Sequence, residues 1–247
     1  MHPRQPDLEP PLGEILEAAL SDAGFNDDEA ILYTFDAEKS ATGFASFYFP
    51  RDTYTTADDI PEVAPVLADL NHAAARSAIR IVLFTRDRSE EGQAATIRHE
   101  LEHGRQTAEL GPRLEGLYRL CADVLAVRAG GLPGGSVVYT LMPIEMDANA
   151  AGARFATARY TEARIIELLR NGDRDGATLR SNIGPEPVAT LPERMVAFMI
   201  ANRGLCETYA AGHGNGLSFP EMLDLEWAGA GDIWRELVDD GGLAVPR

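Results

Sequence analysis

Cysteine is nearly absent from this 247-residue chain: there are two, Cys121 and Cys206, far apart in the sequence. Each sits in an apolar helical context, LYRLCADVLAV and ANRGLCETYAA, which fits two reduced, buried thiols better than a disulfide framework or a thiolate metal site. Positive charge is scarce as well, with 22 Lys and Arg against 39 Asp and Glu and a formal net charge of −17. A phosphate backbone is bound through a basic patch that displaces counterions, so no nucleic-acid partner is expected. No apolar run approaches the roughly 20 residues of a membrane span, and no membrane partner is expected either. The opening MHPRQPDLEPPLGEILEAAL has early prolines and several acids where a signal peptide has a basic start and an apolar core, so the expected location is the cytoplasm. Nothing in the sequence fixes an oligomeric state.

What is present is a chain of 45% hydrophobic and 25% charged residues, enough to bury a core in one large domain or two small ones. Leu12 to Ala23 reads as an amphipathic helix, and FASFYFP, 44–50, as a short aromatic strand ended by Pro50. A helix is expected over 61–77, starting near Pro61 or Pro65, followed by a strand Ile79–Thr85 (IRIVLFT), β-branched and aromatic. Ser89 is placed to cap a helix from Gln93 to about Leu110, which Gly111–Pro112 stops. Further helices are expected over Arg113–Ala129, Pro143–Arg170, Pro192 to about Ala210, Pro220–Trp227 and Asp232–Val238, with SVVYT as a short strand after the GGLPGGS loop. The expected fold class is α+β, mostly helical, with a small sheet ahead of the 93–110 helix. There is no internal repeat and no low-complexity segment.

That helix carries RHELEHGRQ, Arg98 to Gln106. Residues four apart on a helix lie about 40° apart around the axis and one turn along it, so His99 and His103 project the same way and are placed to hold one ion. Glu100 is about 100° from His99, which puts its carboxylate beside such an ion and within reach of a water bound to it. A divalent metal brings the pKa of its water close to neutrality, and a carboxylate there is placed to take the proton. The other charges have a plainer reading. Arg98 with Glu102, and Arg105 with Glu109, are spaced for intrahelical ion pairs on a solvated face.

A catalytic zinc takes three protein ligands and leaves the fourth position to water. One candidate for the third is Glu109, at the position used when a glycine turn brings the chain back to the metal, but Gln106 stands where that glycine is needed. The other lies in PIEMDANAAGARFA, 143–156, where Pro143 starts a helix and Glu145, Asn149, Gly152 and Ala156 share one face. The small residues Ala148, Ala151 and Gly152 allow this helix to approach the motif helix closely. Asn149 is placed to hydrogen-bond the outer nitrogen of a ligand histidine and fix its tautomer. Glu145 and Asp147 also suit a simpler role, complementing the positive end of the helix.

His99-Glu100-x-x-His103 followed by Glu145-x-x-Ala148-Asn149 resembles the gluzincin branch of zinc metallopeptidases. In that branch the third ligand is a glutamate, and an Asp or Asn one turn later supports a histidine. EMDANAAGARFA is similar to the second motif of small cytoplasmic bacterial gluzincins of the ImmA/IrrE-like kind, and IRIVLFT stands where that family places the strand bordering the substrate cleft. The resemblance covers about 79–160; Gln106 and the insertion Gly111–Met142 depart from it. It implies a zincin-like catalytic domain over 1–172 and a helical C-terminal region over 173–247. It further implies Zn2+ held by His99, His103 and Glu145, with Asn149 in support, and hydrolysis of a peptide or protein substrate with Glu100 as general base. His213 in AGHGNG, flanked by glycines, is a candidate for stabilising the developing oxyanion. Tyr139 and Tyr160 are weaker candidates, and His72 is read as structural or solvated. Two other readings stay open: a catalytically silent or regulatory binding protein of gluzincin fold, and a zinc hydrolase acting on a non-peptide bond.

Overall fold

The structure, a computed structural model, describes residues 10–26, 30–35, 45–48, 79–84, 89–111, 113–129, 140–161, 163–164, 166–167 and 186–239. In chain order these form α1 (Pro10–Ala23), β1 (Ala30–Phe35), β2 (Ala45–Tyr48), β3 (Ile79–Phe84), α2 (Glu90–Leu110), α3 (Arg113–Ala129) and α4 (Pro143–Arg159). A single 3-10 turn (Val188–Thr190) then leads into α5 (Leu191–Ala201), α6 (Arg203–His213), α7 (Phe219–Glu226) and α8 (Ala230–Asp239). The chain divides into two units, Met1–Arg105 with Asp147–Pro185 and Gln106–Met146 with Glu186–Arg247. The division falls inside α2 and inside α4.

In the first unit, α1 presents Leu12, Ile15, Leu16, Ala19, Leu20 and Ala23 at three- and four-residue spacing. This stripe packs on Leu32 of β1, Ile81 of β3 and Ala94, Ile97 and Leu101 of α2. The strands form one sheet in the order β1-β3-β2. β3 runs parallel to β1, with Ile81 opposite Leu32, and antiparallel to β2, with Ile81 opposite Phe47. The strand just ahead of the motif helix is therefore paired on both sides, and among the described residues the outer strands are β1 and β2.

The second unit is helical throughout its described residues. Leu114, Leu117, Cys121 and Val124 of α3 pack with Met195, Val196 and Met199 of α5, Cys206 of α6, Leu223 of α7 and Trp234 of α8. Trp234 stands against Phe219 with ring centroids 5.1 Å apart and planes tilted by 57°, a geometry that aromatic pairs favour. Both cysteines are free and buried. Burial pushes both thiols up, that of Cys206 to about 12.

The α+β class is corrected by these elements. The described residues are mostly helical, and the strands are three short segments of six, four and six residues. The β-branched and aromatic runs carry no information about how much helix surrounds them, and an entire helical unit outweighs the sheet. Two helix boundaries also move. The helix from Pro143 closes at Arg159, with the described residues 163–164 and 166–167 helical again after a break at Tyr160 and Thr161, and the single helix expected over Pro192 to Ala210 is two, broken at Asn202, whose side chain donates to the Phe198 carbonyl at 2.9 Å. The expected helix over 61–77 and the SVVYT strand lie outside the described residues, apart from Thr140. Among the described residues no helix is long and apolar enough to cross a membrane.

Ile15 is fully buried and Leu225 is 73% exposed. Ile15→Ala is expected to cost about 2–5 kcal/mol through lost burial and the cavity left behind. Leu225→Ala is expected to stay within about 0.5 kcal/mol. Urea denaturation of the two variants checks this.

Candidate metal centre

Helix α2 is fixed at both ends by short-range chemistry. The Gly92 N–H donates to Ser89 Oγ at 3.0 Å, and Glu90 and Glu91 occupy the first turn, where negative charge complements the helix dipole. At the other end Gly111 adopts φ +78° and its N–H closes on the Thr107 carbonyl at 2.8 Å. This left-handed residue is strained for anything but glycine and ends the helix. Between these stops, Ala94, Ile97 and Leu101 point into the first core. His99 and His103 fall about 170° away from that stripe on the helical wheel.

There the two imidazoles converge. His99 Nε2 and His103 Nε2 are 3.2 Å apart, with ring centroids 4.8 Å apart and planes at 88°. Two nitrogens bound tetrahedrally at 2.0–2.1 Å from a zinc ion stand about 3.3 Å from each other, so the pair already has the spacing that one ion imposes. Glu100 completes the group: the ligand atoms of His99, Glu100 and His103 all lie within 4.8 Å of one another. His103 and Glu100 are buried and His99 is half-buried.

The wall beside His99 is the backbone of α4. A Cβ built on Gly152 would stand 2.3 Å from the Ala95 carbonyl oxygen and 3.4 Å from His99 Cβ, so the two helices meet as closely as backbone permits. Ala148, Ala151 and Ala156 of α4 are buried too. The small-residue face expected to approach the motif helix does so at Gly152.

Arg98 and Glu102 are not on a solvated face, whereas Glu109 is exposed. Arg98 and Glu102 are buried, at 6% and 3% exposure. Arg98 donates to Asp22 of α1 at 2.6 Å and to Glu102 at 2.9 Å, while Arg105 pairs with Glu102 from the next turn. Burial by itself would raise the Glu102 carboxyl. Hydrogen bonds from Arg105 and Arg98, and their charges, outweigh that and hold it below the usual carboxylate range. The spacing correctly paired Arg98 with Glu102, but nothing in the stretch announces that α1 covers them, and Asp22 carries no motif signal.

The remaining candidates are distributed as follows. Glu145 is buried in the first turn of α4 and belongs to the second unit; Asp147, also buried, belongs to the first; Glu109 is exposed; Asn149 is half-buried. Gln106, the departure from the glycine pattern, is fully buried in the second unit, and its Nε2 donates to the Ile144 carbonyl at 3.2 Å. His213 is not on a hinged loop. It is the last residue of α6 in the second unit, exposed, with its ring stacked on Tyr209 at 4.7 Å and Nδ1 3.3 Å from the Tyr209 carbonyl oxygen. The helix runs through the preceding glycine, so the flanking Gly212 gives the chain no hinge there. Tyr160 donates to Glu90 at 2.9 Å; burial and that carboxylate push its phenol up to about 12. Tyr139 and His72 lie outside the described residues.

No protein-family model, no characterised protein and no solved structure matches the chain.

Arg98→Ala is expected to cost about 3 kcal/mol, because it removes two ion pairs and leaves the buried Glu102 carboxylate with less compensation. Arg105→Ala, at a side chain 35% exposed, is expected to cost less. Equal denaturation midpoints for the two variants would contradict this ranking.

Proposed function

We propose that the chain is a zinc-dependent metallopeptidase, with His99 and His103 as metal ligands and Glu100 as general base. The observation that carries this reading is the 3.2 Å separation of the two Nε2 atoms beside a buried carboxylate, the spacing that a tetrahedral zinc imposes on two of its ligands. Zinc held there supplies Lewis acidity, polarising a carbonyl and making water acidic near neutral pH. The chain's own groups do the rest. His99 and His103 hold the ion through their Nε2 lone pairs. Glu100 takes a proton from the attacking water and passes it to the leaving amine nitrogen as the C–N bond breaks. Glu145 is the third ligand and Asn149 its histidine-supporting neighbour on the sequence resemblance, which also supplies the peptide as substrate class. Two buried, protonated thiols fit a reducing compartment, and we assign the protein to the cytoplasm. A peptide that binds by adding a strand to this sheet does so at β1 or β2, since β3 is paired on both sides.

Protein purified without chelator is expected to carry about one zinc per chain; a stoichiometry well below one, by metal analysis, overturns the proposal. Glu100→Gln is expected to keep the zinc and to lower peptide hydrolysis by about 10²-fold or more. If the variant is as active as the wild type, Glu100 is not the base, and if zinc-loaded wild type cleaves no peptide in a mixed peptide library, the chain is a metal-binding or regulatory protein instead.

Among single variants, Glu145→Ala is expected to weaken zinc binding more than Glu109→Ala or Asp147→Ala. Competition titration against a chromogenic chelator ranks the three, and a larger loss at Glu109 or Asp147 reassigns the ligand.

A further inference from the structure

We infer that Gly152 is a positioning residue for His99, and that its missing side chain sets the geometry of the imidazole pair. The inference rests on the metal-site reading above. Gly152, Ala95, His99 and His103 belong to one unit. At Gly152 the backbone of α4 sits against the Ala95 carbonyl so closely that a Cβ would come within 2.3 Å of it. The obstructing atom is backbone, which cannot rotate away, so any larger residue separates the helices or bends α2. Ala95 is one turn ahead of His99 on the same face, and the hypothetical Cβ would stand at van der Waals contact with His99 Cβ, 3.4 Å away. A shift there moves the first imidazole relative to the second, whose Nε2 is 3.2 Å away. Metal affinity is sensitive to such support: disturbing the groups that orient a ligand lowers it about 10–100-fold.

The sign of the effect separates this role from ordinary helix propensity. Alanine is the better helix former, so if Gly152 were only an interior helix glycine, Gly152→Ala would leave the protein as stable or more so. Gly204 of α6, with nothing within 4 Å of its Cβ position, is the matched control.

The test titrates wild type, Gly152→Ala and Gly204→Ala with zinc and with cobalt(II). Gly152→Ala is expected to bind zinc about 10-fold or more weakly and to shift or weaken the visible absorption bands of the cobalt form, which report coordination geometry and not overall stability. Gly204→Ala is expected to match wild type in both. Affinity and cobalt spectrum unchanged in a folded Gly152→Ala overturn the inference. Absence of zinc binding by the wild type overturns the underlying metal reading instead. Should Gly152→Ala lose its helical circular dichroism, the wild type is compared with and without zinc by hydrogen exchange: slower exchange of the amides at 151–153 on zinc binding supports the coupling, and unchanged exchange refutes it.

Discussion

Helix α2 is buried along much of its length although it is among the more charged segments of the chain, and each charge it carries has to be answered inside the fold. A carboxylate or guanidinium removed from water without a partner costs several kcal/mol. Glu91, Arg98, Glu100, Glu102, His103 and Gln106 are all buried on this one helix. The arrangement around it follows from that constraint. Asp22 at the end of α1 reaches Arg98 and Arg105 shares Glu102, while Arg164 meets Glu91 from the segment after α4 at 2.8 Å. Gln106 hands its amide proton to a carbonyl that heads α4. The apolar stripe of Ala94, Ile97 and Leu101 supplies burial, but the polar partners decide which neighbours α2 can have.

The imidazole pair belongs to the same account. Two nitrogen lone pairs aimed at one point repel each other unless a proton or a metal ion stands between them. A buried carboxylate next to them, that of Glu100, biases the point toward positive charge. On the proposed reading, a divalent cation held by the two imidazoles answers their lone pairs, with the Glu100 carboxylate beside it.

Periodicity made part of this legible. His99, Glu100 and His103 could be placed on a helix and related to one another because the 3.6-residue repeat fixes angles within one element. The caps were legible for the same reason: Ser89 and Gly111 act on residues within a turn or so of themselves. The small face of α4 could be read as a surface of close approach, since small residues at helical spacing leave room for little else. What escaped depends on which surfaces meet. Arg98 and Glu102 have the spacing of a solvated pair, yet both are buried, and Asp22 of α1 meets Arg98 from outside the helix. His213 has a glycine on each side, and that composition suggested a hinge, whereas its carbonyl and ring contacts to Tyr209 show helix to its last residue. β1, AILYTF, is a six-residue run whose partner lies far along the chain, and a pairing of that kind leaves no periodic trace in a single segment.

Fold class failed as an expectation for a related reason. A strand signal says that a segment can be extended; it does not say how much helix is stacked elsewhere. The resemblance around the histidines concerned residues 79–160, and it set that strand beside a substrate cleft. Here β3 is the centre of three strands, so its backbone groups are already spent on β1 and β2. A substrate chain has no free ladder beside the motif helix on β3. On the proposed reading, a substrate over Glu100 is ordered by groups other than the backbone of β3, and the close approach of α4 to α2 at Gly152 bears more directly on the imidazole pair than the sheet does.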